Sequence, residues 1–247
     1  MTLFEYIRTH ILSFNPAALP ILVVAVVLTL VFALLSDILV LLGLAAITVI
    51  LVIFGDPARK IPLAPGLILS PVDGMVMAVE GKCGLPLIFD RANDQVEHFT
   101  RITLRQRLLG CRTLRAPVAG TVVEIIRHAS TDDTHTDTTT ASSSREKGPL
   151  DLLRRTDQVL ILIRTENGIE YALDIHAPVI PQQVWISVTS GDRVDAGERL
   201  GLIAAYGVID LYLPDTHILY KAVSQRALAG ETVVAVTGGP APQFKQI

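Results

Sequence analysis

The stretch Gly191–Pro214, GDRVDAGERLGLIAAYGVIDLYLP, sets two glycine-bearing turns against short runs of aliphatic and β-branched residues. Gly191 and Gly197 permit turn conformations that other residues resist, and the apolar runs between the turns have the length of strands. The same grammar recurs in GMVMAVE (74–80), GTVVEII (120–126), QVLILIR (158–164), IEYALDI (169–175), QVWISV (183–188) and ETVVAV (231–236). A compact, mainly β (α+β) domain with barrel-sandwich-like strands is therefore expected.

Toward the N-terminus the pattern changes. From Pro20 to Phe54 the chain reads PILVVAVVLTLVFALLSDILVLLGLAAITVILVIF, with Asp37 as its one ionisable residue. This run explains why half of the 247 residues are hydrophobic and why mean hydropathy reaches +0.48, too apolar for an ordinary soluble domain. A spanning helix needs about 20 apolar residues, so the run is long for one span and short for two generous ones. Ser36-Asp37 at its centre favours a hairpin of two short helices over one long tilted helix, because a carboxylate is costly at mid-bilayer and tolerated at a turn. A signal peptide fits less well, since no small-residue cleavage pattern precedes GDPARK. Arg8 on one side and Arg59-Lys60 on the other predict that both ends stay in the cytoplasm. The expected organisation is an N-terminal cytoplasmic segment (1–19), a membrane hairpin (20–54), a β domain (55–240) and a tail (241–247). The hairpin would lie in the inner (cytoplasmic) membrane with the β domain facing the cytoplasm.

A formal charge of -3 and the lack of a basic stripe argue against a nucleic-acid partner. The basic residues in RITLRQR (101–107) and LLRRTD (152–157) read as a solvated face or as contacts to lipid headgroups. Two cysteines, Cys83 and Cys111, make no disulfide framework and read as ordinary buried thiols. Residues 129–149, ASTDDTHTDTTTASSSREKGP, have no apolar periodicity and are expected to form a mobile loop, so His128, His135 and their neighbouring aspartates fix no geometry for a metal. His176 and His217 read as structural or surface histidines, and Trp185, Tyr206, Tyr212 and Tyr220 as packing or interface anchors. No metal site is expected.

APVAGTVVEII and GDRVDAGERLG resemble the half-motifs of biotinyl- and lipoyl-type barrels. No lysine lies between Ala116 and Gly120 or between Val188 and Gly201, so a swinging-arm carrier is not expected.

A second resemblance covers more of the chain. IFGDPARKIP, GLILSPVDGMVMAVE, RAPVAGTVVEI, GDRVDAGERLGLI, DLYLP and GETVVAV follow one another in an order and spacing similar to the small bacterial and archaeal phosphatidylserine decarboxylases, over roughly residues 18–236. The resemblance implies a membrane-bound enzyme that makes its own cofactor. In that family a serine after a glycine attacks the preceding carbonyl, the ester undergoes β-elimination, and the new N-terminus becomes a pyruvoyl group. That group forms an imine with the amine of phosphatidylserine and takes up the electrons left by carbon dioxide. An aspartate and a histidine assist the self-cleavage.

Carried over position by position, the aspartate falls on Asp73 in SPVDG. The histidine falls on Arg112, whose guanidinium stays protonated and cannot serve as a base. The glycine-serine pair falls on Tyr206-Gly207, and the family's paired arginines fall on Gln182-Gln183. Between Gly191 and Val223 there is no serine or cysteine, and Thr216 lies beyond Pro214. Gly207 has no β-carbon, so no pyruvoyl cofactor is expected, and Asp73, Arg112, Tyr206 and Gly207 are expected to form no working catalytic centre. Arg115, Gln182 and Gln183 are candidate lipid contacts. The resemblance with its losses implies a non-catalytic subunit, scaffold or assembly factor of a membrane complex, with membrane lipids and other membrane subunits as partners. The alternatives are an active phosphatidylserine decarboxylase of divergent chemistry and a lipid-binding protein without catalysis.

Overall fold

The computed structural model describes residues 19–56, 59–62, 64–85, 98–107, 110–128, 158–177, 184–204 and 206–238. Two helices come first, α1 (Leu19–Phe32) and α2 (Asp37–Ile53). The break between them falls at Ser36-Asp37, where extended backbone (φ -169°) lets Ser36 Oγ accept the Ile38 N–H at 3.3 Å and Asp37 occupies the first turn, where the helix dipole favours its charge. The helices pack on each other. A Cβ on Gly43 would stand 2.5 Å from Thr29 Cγ2, so only glycine allows this approach. Their other faces are open, with Leu34 87%, Ile38 71%, Leu41 68% and Leu30 65% exposed. At about 1.5 Å per residue the 14 and 17 residues extend about 21 and 26 Å, short of a hydrocarbon core of about 30 Å. No helix among the described residues is long and apolar enough to cross a membrane.

The strands among the described residues pair antiparallel. The principal sheet runs β13 (Arg226–Ala227), β2 (Gly74–Cys83), β3 (Phe99–Gln106), β11 (Val208–Pro214), β7 (Glu170–His176), β6 (Gln158–Arg164), β5 (Gly120–His128), β9 (Arg193–Val194). Two three-stranded sheets accompany it: β1 (Leu67–Leu69), β14 (Val233–Val236), β12 (Ile218–Leu219), and β4 (Thr113–Arg115), β10 (Arg199–Ile203), β8 (Val184–Ile186).

Alternation with period two builds the core. Val159, Ile161 and Ile163 of β6, Leu173 and Ile175 of β7, and Ile209, Leu211 and Leu213 of β11 all face one way. They share one cluster with Ile68 and Val234 from one small sheet and Leu114, Val184, Leu200 and Ile203 from the other, so the small sheets close the inner face. Gly201 is required where β10 meets β8, since a Cβ there would overlap the Trp185 carbonyl oxygen. On the opposite face Phe99, Leu160, Leu162, Ala172 and Tyr212 form a second, smaller cluster.

Candidate functional site

Asp73 ends the turn that opens β2, and Ser70 shapes that turn by donating its hydroxyl to the Val72 carbonyl at 2.8 Å. The Asp73 carboxylate is buried and held on all sides. Oδ1 accepts the Ala229 N–H at 2.8 Å, and Oδ2 accepts Arg59 Nη2 at 2.8 Å and the Cys111 N–H at 3.2 Å. Burial by itself would lower the Arg59 guanidinium, but the charge and hydrogen bond of Asp73 raise it above its ordinary value. Arg59, which follows the apolar segment, has a side chain only 9% exposed and directed at Asp73.

Arg112 is 6% exposed, and its carbonyl accepts the Ile203 N–H at 2.9 Å, which sets it beside the end of β10. Burial pulls its guanidinium below the ordinary value, opposed by the Cys111 thiol. It remains a donor without an acceptor lone pair, so it can hold a proton but not take one.

Gly207 opens β11. Its carbonyl accepts the Gln106 N–H at 2.9 Å, and a Cβ at this position would meet Ile203 Cγ2 at 3.2 Å, the His176 carbonyl oxygen at 3.3 Å and Gln106 Oε1 at 3.7 Å. Gln106 is the residue that sequence reasoning missed. Its amide faces the Cys111 carbonyl at 3.5 Å, its neighbour Arg107 donates its N–H to the Asp73 carbonyl at 3.0 Å, and its own Oε1 is buried without a hydrogen-bond partner among the described residues. With the adjacent Arg107 bonded to Asp73, Gln106 thus bonds Gly207 and Cys111, the neighbour of Arg112. The available signal was its place at the end of β3, in register with Gly74 at the start of β2; the pairing of distant strands hides such a link from a linear reading.

Arg115 is 7% exposed and donates to Asp56 Oδ1 at 2.7 Å and to the Gly197 carbonyl at 2.7 Å. Asp56 is fully buried, is also ion-paired to Arg199, and accepts the Cys111 thiol at 3.6 Å. Arg115, a candidate lipid contact from the sequence, is thus tied to Asp56 and Gly197. Gln182, Gln183 and the 129–149 segment lie outside the described residues. Within RITLRQR, Arg101 donates to Glu80 at 2.6 Å; burial would lower its guanidinium, but bonding to Tyr212 and the charge of Asp210 raise it. His217 is buried against Tyr171, its Nε2 2.7 Å from the phenolic oxygen and 3.1 Å from Thr237 Oγ1, a structural arrangement. Both cysteines are free thiols.

The pyruvoyl group that the sequence resemblance implies does not fit these residues. Gly207 supplies no β-carbon or hydroxyl, a Cβ there would press on Ile203 and the His176 carbonyl, and Arg112 offers no base.

An antiparallel β domain carrying this turn matches a family model, that of phosphatidylserine decarboxylase, over residues 48–235. The chain is 29% identical over 247 residues to a phosphatidylserine decarboxylase proenzyme of Beijerinckia indica, with 99% of each chain covered. It is 28% identical to one of Zymomonas mobilis over 96% of this chain and 92% of the relative, and 30% identical to one of Ruegeria pomeroyi over 74% and 76%. The chain belongs to the phosphatidylserine decarboxylase family.

Proposed function

We propose that this chain is a non-catalytic member of its family, a β domain held at the inner membrane and facing the cytoplasm, which serves as a subunit, scaffold or assembly factor of a membrane protein complex. The observation that carries the reading is Gly207, which stands at the turn where the family chemistry needs a serine, in a space that already crowds a Cβ. Arg112 supports it, because self-cleavage needs a group that accepts a proton. The open apolar faces of α1 and α2 support attachment to lipid, as a hairpin that enters the membrane from one side.

The test is the mass of the purified full chain. A single species at the full 26.7 kDa, with no ethanolamine lipid formed from serine lipid in detergent while a decarboxylating relative is active in parallel, is expected. A break between Tyr206 and Gly207, or turnover of the serine lipid, overturns the reading. Purification in mild detergent should bring down stoichiometric membrane subunits.

A further inference from the structure

The outer face of the β7–β11 pair carries a cluster that the family site does not use. Asp174 and His176 lie two residues apart on β7 and so share a face, and the register sets Asp210 of β11 directly opposite Asp174. All three are buried, at 4%, 5% and 1% exposure, and one ligand-type atom from each lies within 4.8 Å of the others. His176 Nε2 is 3.1 Å from Asp174 Oδ1 and 4.0 Å from Asp210 Oδ2. A Cβ on Gly207 would meet the main-chain oxygen of His176, whereas the cluster is formed by side chains.

Two features point to a cation. Carboxylates set directly opposite on adjacent strands repel, burial strengthens the repulsion, and the Arg101 guanidinium, which Asp210 also raises, offsets it from the protein's side. In addition, neither ring nitrogen of His176 makes a hydrogen bond among the described residues, although the side chain is buried and Nε2 lies within 4.0 Å of an oxygen of each carboxylate. An unsatisfied buried ring nitrogen is costly, and ligation at Nε2 removes that cost for one of the two.

We infer that Asp174, His176 and Asp210 form a binding site for a divalent transition-metal ion of the Zn2+ class, which ties β7 to β11. One imidazole nitrogen with carboxylate oxygens suits Zn2+, whereas Mg2+ and Ca2+ favour all-oxygen shells. Bonds of about 2.0–2.2 Å place tetrahedral ligands about 3.3–3.5 Å apart, between the two separations seen, so small side-chain movements admit the ion. Both carboxylates have supporting partners. Gln158 Nε2 donates to both Asp174 oxygens at 2.9 and 3.0 Å, and Thr103 Oγ1 donates to Asp210 Oδ1 at 2.6 Å, fixing both carboxylates.

The test uses the full chain in mild detergent, stripped with a chelator and then titrated with Zn2+ by calorimetry and with Co2+ by visible absorption. One ion per chain, a Zn2+-dependent rise in Tm and Co2+ d–d bands are expected. His176→Gln and Asp174→Asn each weaken binding by about 100-fold, and Thr103→Val by about tenfold. The other five of the six histidines remain in each variant, so binding that survives His176→Gln unchanged belongs elsewhere and overturns the site. A wild-type chain with no Co2+ bands and no Zn2+-dependent change in Tm also overturns it, whether or not the variants fold.

Discussion

Arg59 Nη2 lies 2.8 Å from Asp73 Oδ2, with both side chains under a tenth exposed, and this pair fastens the segment leaving α2 to the turn that opens β2. Removing one partner of a buried pair leaves the other charge desolvated and uncompensated. Arg59→Met is expected to cost about 3 kcal/mol in urea unfolding, the lower end for such pairs because two backbone N–H groups still hold Asp73. The double variant with Asp73→Asn should lose at least about 1 kcal/mol less than the sum of the single losses. Additive losses would show that the contact carries no coupling.

At Gly207 the two kinds of substitution separate crowding from hydrogen bonding. A Cβ meets Ile203 Cγ2 at 3.2 Å and the His176 carbonyl at 3.3 Å, so Gly207→Ala should destabilise by about 1–2 kcal/mol. Gln106 Oε1 stands 3.7 Å from that Cβ and has no partner among the described residues, so a serine hydroxyl can donate to it. Gly207→Ser should therefore recover about 1 kcal/mol relative to alanine, and Gly207→Ser/Gln106→Leu should lose that advantage. Gly207→Ser alone should leave the chain uncleaved, because Arg112 cannot accept the serine proton. Cleavage of that single variant, seen by mass spectrometry, would refute the role given to Arg112.

His217 gives the fold an acid sensitivity. Burial lowers its pKa below the ordinary value of 6.5, opposed by a hydrogen bond to the Pro214 carbonyl. Below pH 6.5 the unfolded chain takes up a proton that the folded chain resists, so stability falls as pH falls from 6.5 toward the depressed folded value. The slope from this group is at most about 1.4 kcal/mol per pH unit, a change in Tm of about 3–5 °C per unit for a domain of this size. His217→Gln should flatten the Tm profile over that window; an unchanged slope would assign the sensitivity to other groups.

The strands β5, β6 and β7 were legible because each is an apolar run of strand length set between turn or polar residues. QVLILIR is β6 to the residue, and IEYALDI differs from β7 by one position at each end. The short strands β9, β12 and β13 were not, since two residues carry no periodicity and gain their strand character from a partner distant in sequence. The same reason governs the site. Asp73, Arg112 and Gly207 were found by motif spacing, while Gln106 and Arg59 entered only once β2 paired with β3 and the segment after α2 folded back onto the domain. His176 read as a structural histidine because its partners Asp174 and Asp210 are assembled by the β7–β11 register, and 34 residues separate it from Asp210 in the chain.

The exposed faces of the helix pair yield the last prediction. Leu30, Leu34, Ile38, Leu41 and Leu42 are all more than three-fifths exposed, and each large side chain withdrawn from water contributes about 1.5–3 kcal/mol. Leu30→Glu with Leu42→Glu should therefore move most of the protein from the floating to the soluble fraction when it is mixed with vesicles of phosphatidylglycerol and phosphatidylethanolamine. Gly43→Leu acts differently. Its side chain drives the helices apart at Thr29, where a Cβ already stands 2.5 Å from Cγ2, without adding charge. It should lower helical content on heating while the protein still floats. Equal flotation of the double glutamate variant and the unaltered chain would place membrane attachment outside α1 and α2.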